Sequence, residues 1–201
     1  ISLLYYFGMT TIDGVHRGKT RFKIPNQVVR EQLFNYLLET YDEVDLRFDS
    51  MEKGDLNADL AYDGKWREYF QYIADCLTTY ASQRDRLKGE SFVHGFTLAM
   101  TAQNKFYRPE SEKDTQGGYA DIFMLPMIDI WKDMLHSYII ELKYAKGKDS
   151  DEVVARLREE AIAQANRYAD TGMVKRNIGM TTLHKIVVVY RGMDMVVCEE
   201  V

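Results

Sequence analysis

The stretch that most constrains the fold is residues 137–190. Residues 137–142 and 185–190 are apolar runs that read as strands. Between them, residues 151–171 form a charge-rich segment that reads as helix, opened by Ser150 or Asp151 and stopped by Gly172. A helical crossover between strands of one sheet favours a mixed α/β core. The flanking pattern agrees. Residues 42–102 read as helical. Beyond them the period changes, and residues 105–108, 118–126 and 136–144 look like successive strands, with a polar, Gly-rich turn at 110–118. A last strand, 193–198, follows a turn at Arg191-Gly192.

Two of these strands carry charge where a buried strand should carry none. Asp121 heads the segment Ile122-Phe123-Met124-Leu125. Tyr138-Ile139-Ile140 runs straight into Glu141-Leu142-Lys143. Residues two apart on a strand share a face, so Glu141 and Lys143 project together. If the strands are neighbours, Asp121 joins them, and two carboxylates meet one ammonium. Such a group suits a divalent cation with a lysine beside it, which is chemistry for phosphodiester hydrolysis. Glu-x-Lys alone carries little weight: Asp63-Gly64-Lys65 repeats the looser pattern in a turn. The plain alternative is an edge-strand ion pair.

The bulk properties exclude little. The chain has 201 residues and a formal net charge of -5, which does not advertise nucleic-acid binding, although basic patches can be local. No apolar run approaches the ~20 residues that span a bilayer, and no secretory signal is visible. Cys76 and Cys198 match no zinc or redox spacing and read as thiols of a reducing cytoplasm.

Three parts suggest themselves along the chain. Residues 1–24 look like a small β-hairpin, with strands at 2–12 and 21–24 around a turn at Asp13-Gly14; residues 1–7 read as a buried strand. Residues 25–87 read as a helical region. Asn26 is a suitable N-cap for a helix carrying Val29, Leu33, Tyr36 and Leu37, and further helices are expected at 55–62 and 65–83. Tyr62, Trp66, Tyr69, Phe70, Tyr72 and Tyr80 make this part aromatic-rich. At helical spacing, core packing between helices is the simplest account of them. Residues 88–201 carry the mixed sheet, opened by a helix at 88–100.

Two helices extend the acidic constellation. Gln164 and Tyr168 are four apart on the helix after the third strand, so they share a face. Glu90 begins the helix before the first strand, with His94 one turn later. Taken in order, Glu90, Asp121, Glu141-Leu142-Lys143 and Gln164-x-x-x-Tyr168 resemble the PD-(D/E)XK nuclease superfamily, most of all the branch whose later helix carries QxxxY. Ala120 stands where the proline of that name would be. The resemblance covers roughly residues 88–198. It implies a restriction-endonuclease-like core. It implies Mg²⁺ or Mn²⁺ held by Asp121, Glu141, the Leu142 carbonyl and Glu90, with Lys143, Gln164 and Tyr168 as further catalytic residues. It also implies a nucleic-acid substrate, DNA first.

A narrower resemblance spans nearly the whole chain. Leu3-Leu4-Tyr5-Tyr6-Phe7-Gly8-Met9-Thr10, Ile24-Pro25-Asn26-Gln27-Val28-Val29-Arg30 and Glu90-Ser91-Phe92-Val93-His94-Gly95-Phe96 look like the end of a bacterial AAA-ATPase-like family with a nuclease-like C-terminal domain. That implies an ATPase-like domain upstream of Ile1. It also admits a rival role, in which a silent nuclease-fold module binds or regulates without cutting. Within the chain, Gly14-Val15-His16-Arg17-Gly18-Lys19-Thr20 imitates a phosphate-binding loop. It has one residue too few between the glycines and leads into a strand, not a helix. His16, His136 and His184 are scattered and read as surface or strand-end residues. Asp129 and Asp133 read as loop carboxylates.

Overall fold

Left-handed glycines and alternating burial set the element boundaries. The computed structural model describes residues 2–16, 19–26, 28–29, 32, 50–81, 89–110 and 121–201. The chain divides into two units, 1–45 and 46–201.

In the first unit, a short helix α1 (Ser2–Tyr6) precedes an antiparallel pair, β1 (Thr11–His16) and β2 (Lys19–Lys23). The buried strand expected at residues 1–7 is not there. Gly8, at φ +72°, closes α1: its N–H donates to Tyr5 O at 3.0 Å and Met9 N–H donates to Leu4 O at 2.8 Å. A short apolar run does not distinguish helix from strand by itself. Tyr6 and Phe7 are 84% and 71% exposed, so burial does not favour a strand. Asp13-Gly14 is not the hairpin turn either. The β1–β2 register slips between Ile12 and Gly14, and Gly14, at φ +131°, accommodates the bulge. Asp13 pairs with Lys23 at 2.8 Å and with Arg21 at 4.0 Å. The phosphate-loop imitation therefore lies across two paired strands. Asn26 caps as expected, its Oδ1 accepting from Val29 N–H at 3.0 Å. Leu33, Tyr36 and Leu37 lie outside the described residues, as does most of the expected turn at 110–118.

Among the described residues, the second unit opens with helices α2 (Ser50–Tyr62), α3 (Trp66–Tyr80) and α4 (Glu90–Ala102). Then come β3 (Tyr107–Glu110), β4 (Ile122–Pro126) and β5 (His136–Ala145). They are followed by α5 (Asp151–Ala169), α6 (Gly172–Asn177), β6 (Thr182–Arg191) and β7 (Asp194–Glu200). The five strands form one sheet in the order β3-β4-β5-β6-β7. Only β5 and β6, joined by the α5 crossover, run parallel; the other pairs are antiparallel. The fold is thus the expected mixed α/β sheet flanked by helices, in restriction-endonuclease-like form. Gly172 does not stop the long helix: α5 ends at Ala169 and Gly172 opens α6. Thr171 makes the break by capping α6, its Oγ1 accepting from Val174 N–H at 3.4 Å.

Strand alternation assigns the two faces of the sheet. Ile139 and Ala145 of β5 pack with Ala161, Ala165 and Tyr168 of α5 and with their neighbours. On the opposite face, Tyr138 donates its hydroxyl to Leu60 O of α2 at 2.8 Å. Trp66, Tyr69, Phe70, Ile73 and Leu77 of α3 are buried, so these three aromatics are core packing, whereas Tyr62 and Tyr72 are half-buried. Among the described residues, no helix is long and apolar enough to cross a membrane.

Candidate active site

The site forms where β4 begins and β5 is midway. The two strands pair from Ile122↔Ile140 to Met124↔Tyr138, so Asp121 stands just before the ladder starts. Its side chain then takes the place of the next rung: Leu142 N–H donates to Asp121 Oδ2 at 2.7 Å. The N–H and C=O of one strand residue point to the same side. The Leu142 carbonyl therefore faces the Asp121 side, where β4 no longer pairs.

Glu141 and Lys143 project from β5 on the α5 face, as their spacing requires. Lys143 Nζ lies 3.6 Å from Asp121 Oδ2 and 3.6 Å from Glu141 Oε2. The three expected side chains do converge. Glu141 is 1% exposed, whereas Asp121 and Lys143 remain reachable at 24% and 18%. Burial, and next the Asp121 carboxylate, push the Glu141 carboxyl up to about 8, against the opposing pull of the Lys143 ammonium. Glu141 Oε1 is buried and has no hydrogen-bond partner among the described residues. A buried polar oxygen without a partner is costly, and this one can accept from a cation once the carboxyl ionises.

The helices supply the surroundings. Asp121 and Leu142 line a cleft of about 290 Å³ with Glu90, Ser91, His94 and Gly95 from the first turns of α4. Glu90 is exposed at its rim. His94, noted in the sequence only as Glu90's neighbour one turn on, has a buried Nε2 without a partner among the described residues. The four-residue spacing from Glu90 puts it on this wall, and no motif around it marks it for a role.

On the other face, Gln164 and Tyr168 stand on α5. Gln164 Oε1 is buried without a partner among the described residues. Tyr168 is 3% exposed and packs edge-on to Phe123 at 6.0 Å between ring centres. Its hydroxyl is directed to Met173 Sδ at 3.8 Å. Burial, then the Glu110 and Glu141 carboxylates, push its phenol up to about 12, which places Glu141 within electrostatic reach of Tyr168.

Residues 88–200, more than half of the chain, match the PD-(D/E)XK nuclease superfamily. The chain belongs to the PD-(D/E)XK nuclease superfamily. No curated protein and no solved structure matches it. Membership suggests a nuclease-like function, and PD-(D/E)XK nucleases generally use divalent metals such as Mg²⁺. Among the described residues no three His, Cys, Asp or Glu side chains form a ready-made metal cage. What is present is two carboxylates, one with an orphaned buried oxygen, beside a main-chain carbonyl. That set fits magnesium, which retains several waters and needs only one or two carboxylates.

His16 ends β1 and His136 begins β5, as strand-end histidines. His136 and His184, however, are not scattered. The parallel β5–β6 register brings them together, His136 Nδ1 to His184 Nε2 at 2.8 Å. Asp133 accepts from Tyr62 Oη at 3.2 Å, and Asp129 is an exposed loop residue, in keeping with loop carboxylates.

Proposed function

We propose that the domain hydrolyses phosphodiester bonds of nucleic acid, DNA first, using Mg²⁺ or Mn²⁺. The observation that carries this reading is the meeting of Asp121 and Glu141 around Lys143, at 3.6 Å from each, beside a cleft. Asp121, Glu141 and the Leu142 carbonyl would hold the metal, with Glu90 and His94 approaching from the cleft wall, Glu90 through water. Bound there, the cation supplies Lewis acidity, making water more acidic and neutralising phosphate charge.

The chain's own residues do the rest. Glu141 would release its proton to solvent and so become an acceptor on both oxygens. Lys143, released from its two carboxylates, turns its ammonium to the charge that develops on the phosphoryl oxygens. Gln164 orients the Lys143 head group or the substrate phosphate, and Tyr168 sets the α5 wall against which Glu141 is held. Residue 88 is our proposed start of the nuclease domain, after an N-terminal piece (1–24) and a helical linker (25–87). Resemblance over residues 3–10, 24–30 and 90–96 supports an ATPase-like domain upstream in the same polypeptide, and the free thiols Cys76 and Cys198 suit a cytoplasmic setting. Retention of both carboxylates and the lysine weighs against a silent binding module.

The test is cleavage of single- and double-stranded DNA and RNA by the full chain. We expect cleavage with Mg²⁺ or Mn²⁺, none in chelator, and a loss of at least ~100-fold in Lys143→Ala, the scale of removing one transition-state charge donor. A folded protein inert on all four substrates with both metals contradicts the proposal.

A further inference from the structure

A second polar cluster lies at the far end of β5 from Lys143. His136, the first residue of β5, meets His184 of β6 at 2.8 Å between ring nitrogens. The other nitrogen of His184, Nδ1, lies 2.6 Å from Glu200 Oε1 on β7. Glu200 Oε2 accepts from Trp66 Nε1, at the start of α3, at 3.1 Å. The main-chain carbonyl of Tyr62, the last residue of α2, also faces His136 and favours a proton on it. The cluster thus ties the α2–α3 corner to three strands.

The corner is built tightly around it. Gly64, at φ +68°, lies so close to the His136 ring that an added Cβ would come within 3.0 Å of it. Tyr138 stacks on His184 at 5.0 Å and 18°. The Tyr107 hydroxyl donates to His136 O at 2.9 Å. Trp66 is 9% exposed.

Proton counting limits the states of this cluster. A neutral imidazole has one N–H and one bare nitrogen, and an imidazolium has two N–H groups and no acceptor. A 2.8 Å N···N contact needs one N–H facing one bare nitrogen. With both rings protonated, two donors and two positive charges face each other and the contact cannot persist. We propose that His136, His184 and Glu200 form an acid-opened clasp, which holds the α2–α3 corner on the sheet with at most three protons on its four ring nitrogens and releases it on taking the fourth.

The charges around the clasp favour the closed state over a definite range. Glu200 from β7 and Asp63 from the α2–α3 connection favour a proton on His136; burial first, and then His184, oppose it and hold His136 below the usual histidine value. Asp63 is itself shared with Lys65, at 3.8 Å. Tyr62, Tyr107 and Tyr138, the other titratable groups facing the cluster, are phenols pushed above their ordinary value by burial, so they stay neutral. Because folded His136 resists a proton that the unfolded chain accepts, its contribution to stability is present above the ordinary histidine pKa of 6.5 and is lost as pH falls through the lower folded value.

The test uses the full chain and needs no ligand. Ring-nitrogen NMR of the wild type should show the pair titrating in two coupled steps. We expect the second proton to bind at least tenfold more weakly, about 1 pH unit below the first. In a Trp131→Phe chain Trp66 is the only tryptophan left, and its emission should shift along the second step alone. In His136→Asn that acid shift should disappear. Two independent single-proton curves near about pH 6.5, or Trp66 emission that stays fixed while both rings become protonated, would overturn the clasp. The wild-type titration decides the matter even if the variants fail to fold.

Discussion

Glu141 is the residue at which structure and chemistry pull hardest against each other. The folded carboxyl keeps its proton up to about 8, whereas its ordinary value is 4.5. Its contribution to stability is therefore fully present below about pH 4.5 and is lost as pH rises through about 8, a loss on the order of 2–4 kcal/mol without metal. Urea unfolding in chelator should show stability falling from acid to mildly alkaline pH, and Glu141→Gln should flatten that slope. Millimolar Mg²⁺ should offset the loss in the wild type and not in the variant. A metal-free wild type whose stability is unchanged between about pH 5 and about pH 9 contradicts the burial argument. Lys143 obeys the complementary logic: its ammonium faces the Asp121 carboxylate and opposes the rise at Glu141, so Lys143→Ala should make Glu141 harder to ionise as well as removing the proposed catalytic cation.

At the scale of elements, the start of α4 is where packing and site are most directly linked. Gly89 precedes Glu90 at φ +55°, and a Cβ there would meet the Tyr144 ring at 3.2–3.3 Å. Gly89→Ala should cost ~1–3 kcal/mol. It should also lower cleavage by moving Glu90 and His94 on the cleft wall; calorimetry and the cleavage assay check both, and an unaltered melting point contradicts the reading. These local constraints also explain what the sequence revealed. Glu141 and Lys143 were legible because strand alternation is local and fixes their shared face. The crossover helix between two apolar runs made the mixed sheet legible for the same reason. The His136–His184 contact was not, because it depends on a register between strands 48 residues apart, and nothing in either strand announces that pairing. The N-terminal helix was misread because α1 is one turn and a half of apolar residues, short enough for either period. Its deciding feature is the left-handed Gly8. Thr171 went unrecognised as a cap because Gly172 beside it looked like a stop.

At the scale of the whole molecule, every proposed site residue lies in the 46–201 unit, with the complete five-stranded sheet. A chain of residues 46–201 should unfold cooperatively and retain metal-dependent cleavage; folded but inactive material would show that residues 1–45 contribute to the reaction. The net charge of -5 places the burden of nucleic-acid attraction on the cation and on local basic groups. Cleavage should consequently weaken as monovalent salt rises. The central claim is that Asp121 and Glu141 form a cation site beside Lys143. Isothermal titration of Mn²⁺ into wild type and Asp121→Asn, in two buffers of different ionisation enthalpy, tests it most directly. At about pH 7 Mn²⁺ should bind with millimolar or tighter affinity, release a proton from Glu141, and fail to bind the variant. No binding by the wild type, or equal binding by Asp121→Asn, would contradict it.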